Sequence, residues 1–546
     1  MGVQGGNQSM TTLKKFRTKF GRDIFNQKYR HQLANSWGEL AHTLAYSVCG
    51  GLLPGGVIKE IFYAITTKKF IPAGRYLYYA GRAVPYYNNC FSMKVEDTRE
   101  GWSELVKNVT SALMIGGGVG VDYSALRPEG ALLKRTGGTA SGPIPLMMML
   151  NEIGRNVQQG GSRRSALWAG LNWRHKDIDK FIHLKDWPLW LQEQKALDYN
   201  VPAPMDMTNI SVLFDDEWLV PPLTPDHVFN EVVRQMCQTG EPGMCFNFGE
   251  QSDETLRNAC CEFISDEDSD MCNLGSLNLA AINSIEELKR FIYLASQFLV
   301  CGSVRAELPY EKCRDVRDRK RKIGLGLMGV HEWLLKRGER YEVTPELHEW
   351  LAVYRDVSTE AANQCADNLS ISRPIRYRAI APAGTISIMA GTTSGIEPLF
   401  ATAVKRRYLV GGSNWKEQYF VDPTAKVISQ ELGIDPDSIE TAYDLAADPE
   451  RRIKFQADVQ DYVDMGISST INLPEWGSDL NNEDTVAKLG RIIMRYSGRL
   501  RGITTYPNNA RAGQTLTAVP FKEAEALEGQ VFDASEFQCK GGVCGI

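Results

Sequence analysis

From Cys90 to Pro507, strand-like and helix-like stretches follow one another, and this alternation limits the possible folds more than any single motif. Cys90, Ser92 and Lys94 alternate with Phe91, Met93 and Val95, the period of two that marks a strand, with Cys90 on its more polar face. TNISVLFDDEWL reads as another strand, and TPDHVFNEVVRQMCQTG as a helix ended by Gly240. The alternation continues through IGLGLMGVHEWLLKRG, RYRAIAPAGTISIMAGTTSGIEPLF, ISSTINLPEW and TVAKLGRIIMRYSGRLRGITTYP. Such a chain predicts an α/β protein whose strands are parallel and buried. Three regions follow: a mainly helical lead-in over 1–88, an α/β body over 89–520, and a flexible tail over 521–546.

Composition narrows the function classes. Hydrophobic residues at 43% and charged residues at 23% are ordinary for a globular protein and exclude disorder, collagen and coiled coil. A net charge of −5 argues against wholesale nucleic-acid binding. The opening MGVQGGNQSMTTLKKF lacks the apolar core of a signal peptide, and no apolar run reaches membrane-spanning length, so the expectation is a cytoplasmic protein with no membrane contact. The 12 cysteines are too sparse for a disulfide scaffold; in a reducing compartment they start as thiols, and any disulfide is expected to be catalytic.

The densest chemistry lies in LRNACCEFISDEDSDMCNLGSLNL, where Asn258, Cys260, Cys261 and Glu262 precede an acidic turn and a third thiol, Cys272. A carboxylate two residues from a thiol gives a base and a sulfur nucleophile or radical site on one loop. Any single cysteine here also suits a core, but an Asn, a Glu and two adjacent thiols do not make an apolar face. At the other end, CKGGVCGI carries Cys539 and Cys544, with glycines that let the pair close a small ring. As a flexible coil from Pro520 this tail spans roughly 25 Å, enough to visit a buried site and return. The same pair is half of a structural zinc site, and no companion pair is evident.

Other stretches suit anions. In APAGTISIMAGTTSGIEP, Gly384, Thr385, Ile386 and Ser387 fall where a strand turns into a helix, so free N–H groups and hydroxyls converge, although no P-loop Lys follows. Asp97 with Glu100 reads as a capping box opening a helix to about Met114, stopped by Gly116 to Gly118. Loops carrying Arg127, Lys134 and Arg135, and then Arg163, Arg164 and Trp168 in a flexible turn, set basic side chains beside glycines, as phosphate or nucleotide contacts require, or form solvated turns. The Met-rich PIPLMMMLNEIGRNVQQ is a second apolar helix, either plain core or a face for a partner copy, and CRDVRDRKRK reads as a solvated helix face.

These parts, in this order, resemble the catalytic subunit of a ribonucleotide reductase: NNCFSM, GGGVGVDYSALRPEG, TGGTASGP, QGGSRRSA, the Asn258-Cys260-Glu262 spacing, DMCNLGSLNL, PAGTISIMAGTTSGIEP and the terminal cysteine pair, from about residue 70 to the end. The resemblance implies a ten-stranded α/β barrel of two parallel five-stranded halves, with a central finger loop carrying Cys260 as the thiyl cysteine. It implies that Cys260 abstracts the ribose 3′ hydrogen and that Glu262, ionised at neutral pH with an ordinary pKa of about 4.3, acts as general base. It assigns Asn258 to the ribose hydroxyls and Cys90 with Cys272 to the two-electron reduction, ending as a disulfide. Cys539 and Cys544 would reduce that disulfide by thiol exchange, and a thioredoxin-like protein would reduce the tail. Substrate phosphates would sit on Gly384 to Ser387, and a dNTP or ATP effector on Asp97, Arg127, Arg135 and Arg163.

The matching segment RGITTYPNNARAGQ has Tyr506 followed by Pro507 and lacks the tyrosine tandem through which two-component reductases relay their radical. It resembles the adenosylcobalamin-dependent class instead, in which the cofactor does the hard chemistry and the protein positions it; no metal site is expected. The glycyl-radical class is disfavoured by the cysteine-ended tail. The finger departs from the usual Asn-Pro-Cys-Gly-Glu by Ala259 and Cys261, a neighbouring thiol able to quench or share a radical. The lead-in is too short for an ATP-binding cone, so no overall on/off switch is expected, and a homodimer through helices near 103–114 and 145–158 follows. The alternatives are the large subunit of a two-component reductase with a metal-containing partner, an inactive nucleotide-sensing protein, or a structural cysteine or zinc protein.

Overall fold

The computed structural model describes residues 16–134, 136–157, 165–198, 200–219, 227–410, 414–510 and 516–533. Helices Lys19–Lys28, Trp37–Cys49 and Gly55–Thr66 open it. The Thr18 and Ser36 side chains cap the first two by accepting from Gly21 N and Glu39 N, which satisfies donors that the first helical turn leaves unpaired. Their apolar faces share one core with Phe298, Leu325 and Ile380, so the lead-in packs on the body.

The body is mixed α/β around one large, mostly parallel sheet of ten strands. Strands Cys90–Lys94, Gly118–Asp122, Leu167–Asn172, Thr208–Asp215 and Gly243–Asn247 pair in parallel, in that order. Both edges then reverse direction. Asp270–Asn278 runs antiparallel to Cys90–Lys94 and parallel to Ile323–Met328, and also takes the short Phe70–Pro72 antiparallel. On the other edge, Gly502–Pro507 runs antiparallel to Gly243–Asn247 and parallel to Thr470–Leu473. Single parallel bridges join Leu325 to Arg378 and Ile380 to Ile467. Asp270–Asn278 is buried along its whole length, as expected of a strand covered on both faces.

Three local expectations are corrected. The helix Arg99–Met114 is capped by Thr98, whose side chain accepts from Gly101 N, and not by Asp97; the Asp97 carboxylate is left for another partner. Trp168 is not part of a turn: it lies in Leu167–Asn172, buried, donating from Nε1 to Ser211 Oγ at 3.0 Å. The segment read as flexible from 521 is folded through Asp533. Phe521–Ala526 is a helix with Phe521 and Ala524 buried, and Val531–Asp533 is an edge of a four-stranded antiparallel sheet with Leu516–Ala518 and the hairpin Ala403–Val410 and Asn414–Val421. That small sheet had no counterpart in the sequence reading. No described helix is long and apolar enough to cross a membrane.

Candidate active site

Leu256–Arg257 and Ile264–Ser265 pair antiparallel and raise a tight loop, 258–263, against the strands Cys90–Lys94 and Gly118–Asp122. The loop is closed by its own Asn: the Asn258 side-chain carbonyl accepts from Phe263 N at 3.1 Å, and its backbone carbonyl accepts from Cys261 N at 3.1 Å. Both walls approach it at backbone distance. A Cβ on Gly120 would stand 2.0 Å from the Arg257 carbonyl oxygen, and one on Gly466 would stand 2.3 Å from that of Cys261, so only glycine fits at either position. The stem is fixed by fully buried Arg257, which donates to Asn247 Oδ1 at 2.6 Å, and by Lys322, which pairs with Asp270 at 2.9 Å. The acidic turn that follows is pinned by the helix Glu311–Lys320: Lys312 meets Asp268, Arg319 meets Glu267 and Lys320 meets Asp266. The charge run is therefore partly an internal clamp and not only a solvated face.

Beside the loop lies a cavity of about 160 Å³ lined by Cys90, Asn258, Cys260, Glu262, Thr385 and Ile386 among others. A hydrocarbon cavity of similar size, about 150 Å³, takes up a six-carbon ring. The Asn258 side-chain amide donates to Cys90 Sγ at 3.1 Å, and the Cys90 thiol reaches Glu262 Oε1 at 3.5 Å, joining residues 168 and 172 positions apart. Cys272 is the direct cross-strand partner of Cys90. Burial pushes the Cys90 thiol well up, reinforced by Cys272 and Glu262, and burial raises Cys272 as well, so both are protonated at neutral pH. Asn89 Oδ1, on the cavity wall, is buried with no protein partner.

Gly384 to Ser387 form the first turn of the helix Gly384–Ala390. Thr385 and Ile386 reach the cavity, whereas the buried Ser387 hydroxyl donates to Gly384 O at 3.2 Å. A larger groove of about 1300 Å³ runs along Asp97, Arg99, Trp102, Arg127, Lys134 and Met149. Within it Arg127 Nε donates to Asp97 Oδ2 at 2.6 Å. Of the expected site residues, Arg135, Arg163, Cys539 and Cys544 lie outside the described residues.

One contact escaped the sequence reading. The Cys261 sulfur does not turn toward Cys260 and the cavity; it packs with Cys245, Trp168 and Leu213 and hydrogen-bonds the Cys245 sulfur. Cys245 sits on the strand Gly243–Asn247, an apolar stretch whose only signal was a lone cysteine.

Residues 88–200, 221–363 and 375–506 match the family model of the ribonucleotide reductase barrel domain, and the chain belongs to that family. It is 28% identical to a vitamin B12-dependent ribonucleoside-diphosphate reductase of Thermoplasma acidophilum, over 88% of this chain and 69% of the relative. A Mycobacterium tuberculosis protein of the same name is 26% identical over 87% of this chain and 75% of its own length. A ribonucleoside-diphosphate reductase subunit alpha of Chlamydia muridarum is 21% identical over 66% of this chain and 45% of its own length.

Proposed function

We propose that the chain reduces ribonucleotides to 2′-deoxyribonucleotides by thiyl-radical chemistry started with adenosylcobalamin. The observation that carries the reading is the meeting of Cys90, Asn258, Cys260 and Glu262 on one ribose-sized cavity, with Cys272 opposite Cys90. Closure into a ten-stranded barrel is supported by backbone hydrogen bonds through residues 376–380: Ile323 N to Arg376 O and Ala379 N to Leu325 O on one side, Met465 N to Arg378 O and Ile380 N to Gly466 O on the other. Counted as a strand, that segment completes two parallel halves of five around the finger.

The cavity is sized for a sugar and not for a corrin, so a cobalamin would lie outside it, and the substrate phosphates are proposed on Gly384 to Ser387, whose Thr385 and Ile386 reach the cavity. Asn89 Oδ1, buried with no protein partner, fits a hydroxyl of an adenosyl ribose, with Cys260 on the same wall. Adenosylcobalamin, when bound, supplies the one-electron oxidation that turns the Cys260 thiol into a thiyl. Cys260 then takes the 3′ hydrogen atom while Glu262 accepts the 3′ hydroxyl proton, and Asn258 orients the ribose hydroxyls. Cys90, held protonated by burial, gives its proton to the departing 2′ hydroxyl. In balance, ribonucleotide and two thiols become deoxyribonucleotide, water and a Cys90–Cys272 disulfide, and Cys260 returns the hydrogen. Cys539 and Cys544 re-reduce that disulfide and are themselves reduced by a thioredoxin-like protein.

A nucleotide effector fits the groove of Asp97 and Arg127, with Arg135 and Arg163 proposed on residues beyond the described set. A homodimer through Arg99–Met114 and Ile144–Asn156 is supported by Met114 and Met149, 62% and 50% exposed on those helices. Analytical ultracentrifugation with effector showing only monomer refutes it. The functional test is deoxyribonucleotide formation by the purified chain with dithiothreitol, mixed nucleotides and effector, with and without adenosylcobalamin. Activity only with the cofactor supports the reading; activity that instead requires a metal-containing partner protein overturns it in favour of the two-component enzyme.

A further inference from the structure

Cys261 adopts a left-handed backbone, φ 63°, a region that disfavours an L-residue but not glycine. The sulfur placed there is not in the cavity that Cys260 lines. It meets Cys245 on the neighbouring wall, with Trp168 and Leu213 closing around the two. Behind Cys245 stand two buried guanidinium groups. Arg501 donates to Glu254 Oε2 at 2.9 Å, but its Nε and Nη1 have no partner, and neither does Nε of Arg257. Glu254 is shared with Arg376, so the cluster holds more positive than negative charge. The hydrogen bond from Cys261, the two arginines and the Ser211 hydroxyl together draw the Cys245 thiol down against the effect of its burial. A thiolate facing a thiol is the arrangement from which disulfides form.

We propose that Cys245 and Cys261 are a second redox-active pair, separate from Cys90 and Cys272, that a peroxide closes into a disulfide strapping the finger to the strand Gly243–Asn247. The Cys245 thiolate attacks one peroxide oxygen, the O–O bond breaks, and Cys245 becomes a sulfenic acid while hydroxide leaves and is protonated to water. The Cys261 sulfur then displaces the sulfenic oxygen as a second water. Two thiols are oxidised by two electrons and one hydrogen peroxide is reduced. The strap attaches to the residue next to Cys260 and is undone by a dithiol.

The pair is tested on the full reduced chain without cofactor, so the outcome does not depend on the reductase reading. One equivalent of hydrogen peroxide is added, free thiols are blocked with N-ethylmaleimide, and tryptic peptides are mapped under non-reducing conditions. The expected result is a cross-link between peptides 235–257 and 258–289 that persists in Cys260→Ser and Cys90→Ser, disappears in Cys245→Ser and Cys261→Gly, and is reversed by dithiothreitol. Cys261→Gly suits the left-handed backbone and so keeps the fold. Absence of the cross-link in the wild-type chain, or its survival in Cys261→Gly, overturns the proposal.

Discussion

Two pairs of sulfurs flank one finger, and their surroundings are opposite. Cys90 and Cys272 are buried beside Glu262 and Asp270, negative neighbours that add to burial and hold both thiols protonated. Cys245 and Cys261 are buried beside Arg257 and Arg501, and there Cys245 is drawn toward the thiolate. Burial is common to both pairs; in the second, the hydrogen bond from Cys261, helped by the charge of Arg257 and Arg501, lowers Cys245 while Cys261 itself is raised, and in the first burial prevails at both sulfurs. A pair that must protonate a leaving hydroxyl needs the first setting, and a pair that reacts with an oxidant needs the second.

The sharpest way to break this comparison is to exchange the roles by mutation. Cys260→Ser and Cys90→Ser should abolish deoxyribonucleotide formation with circular dichroism unchanged, while Cys245→Ser retains it; equal loss in Cys245→Ser would mean that the two sides are not distinct. Glu262→Gln removes the base and the acceptor beside Cys90, and should lower turnover by roughly 10²–10⁴-fold. Arg501→Gln should raise the pH at which the Cys245 thiolate appears, followed as the ultraviolet thiolate absorbance missing from Cys245→Ala. No change there would remove the arginines from the account. The smallest effect is expected from Cys261→Gly, which relieves the left-handed backbone and should leave the free energy of unfolding, from chemical denaturation, unchanged or raised by up to about 1 kcal/mol.

Spacing made much of this legible. Asn258, Cys260 and Glu262 sit on a six-residue loop, so their proximity is local and visible in the chain. The arrival of Cys90 and Cys272 beside them depends on strand register, which no single sequence prints; it was reached through resemblance, and the cross-strand pairing agrees with it. The Asp97 cap failed because Thr98, one residue on, offers a better-placed hydroxyl, and that frees Asp97 for Arg127. Cys245 was missed because an apolar strand hides one thiol among core residues, and its partner is set by the finger's path. The small antiparallel sheet was missed because Lys405, Arg406 and Arg407 follow one another and erase the period of two that announces a strand.

The most direct test is a single turnover without external reductant, using Cys539→Ser/Cys544→Ser so that the tail cannot repair the site. With adenosylcobalamin, effector and substrate, one deoxyribonucleotide should form per active chain together with an equal amount of Cys90–Cys272 disulfide, while Cys245 and Cys261 stay reduced. Product without that disulfide, or with the electrons drawn from Cys245 and Cys261, would contradict the account.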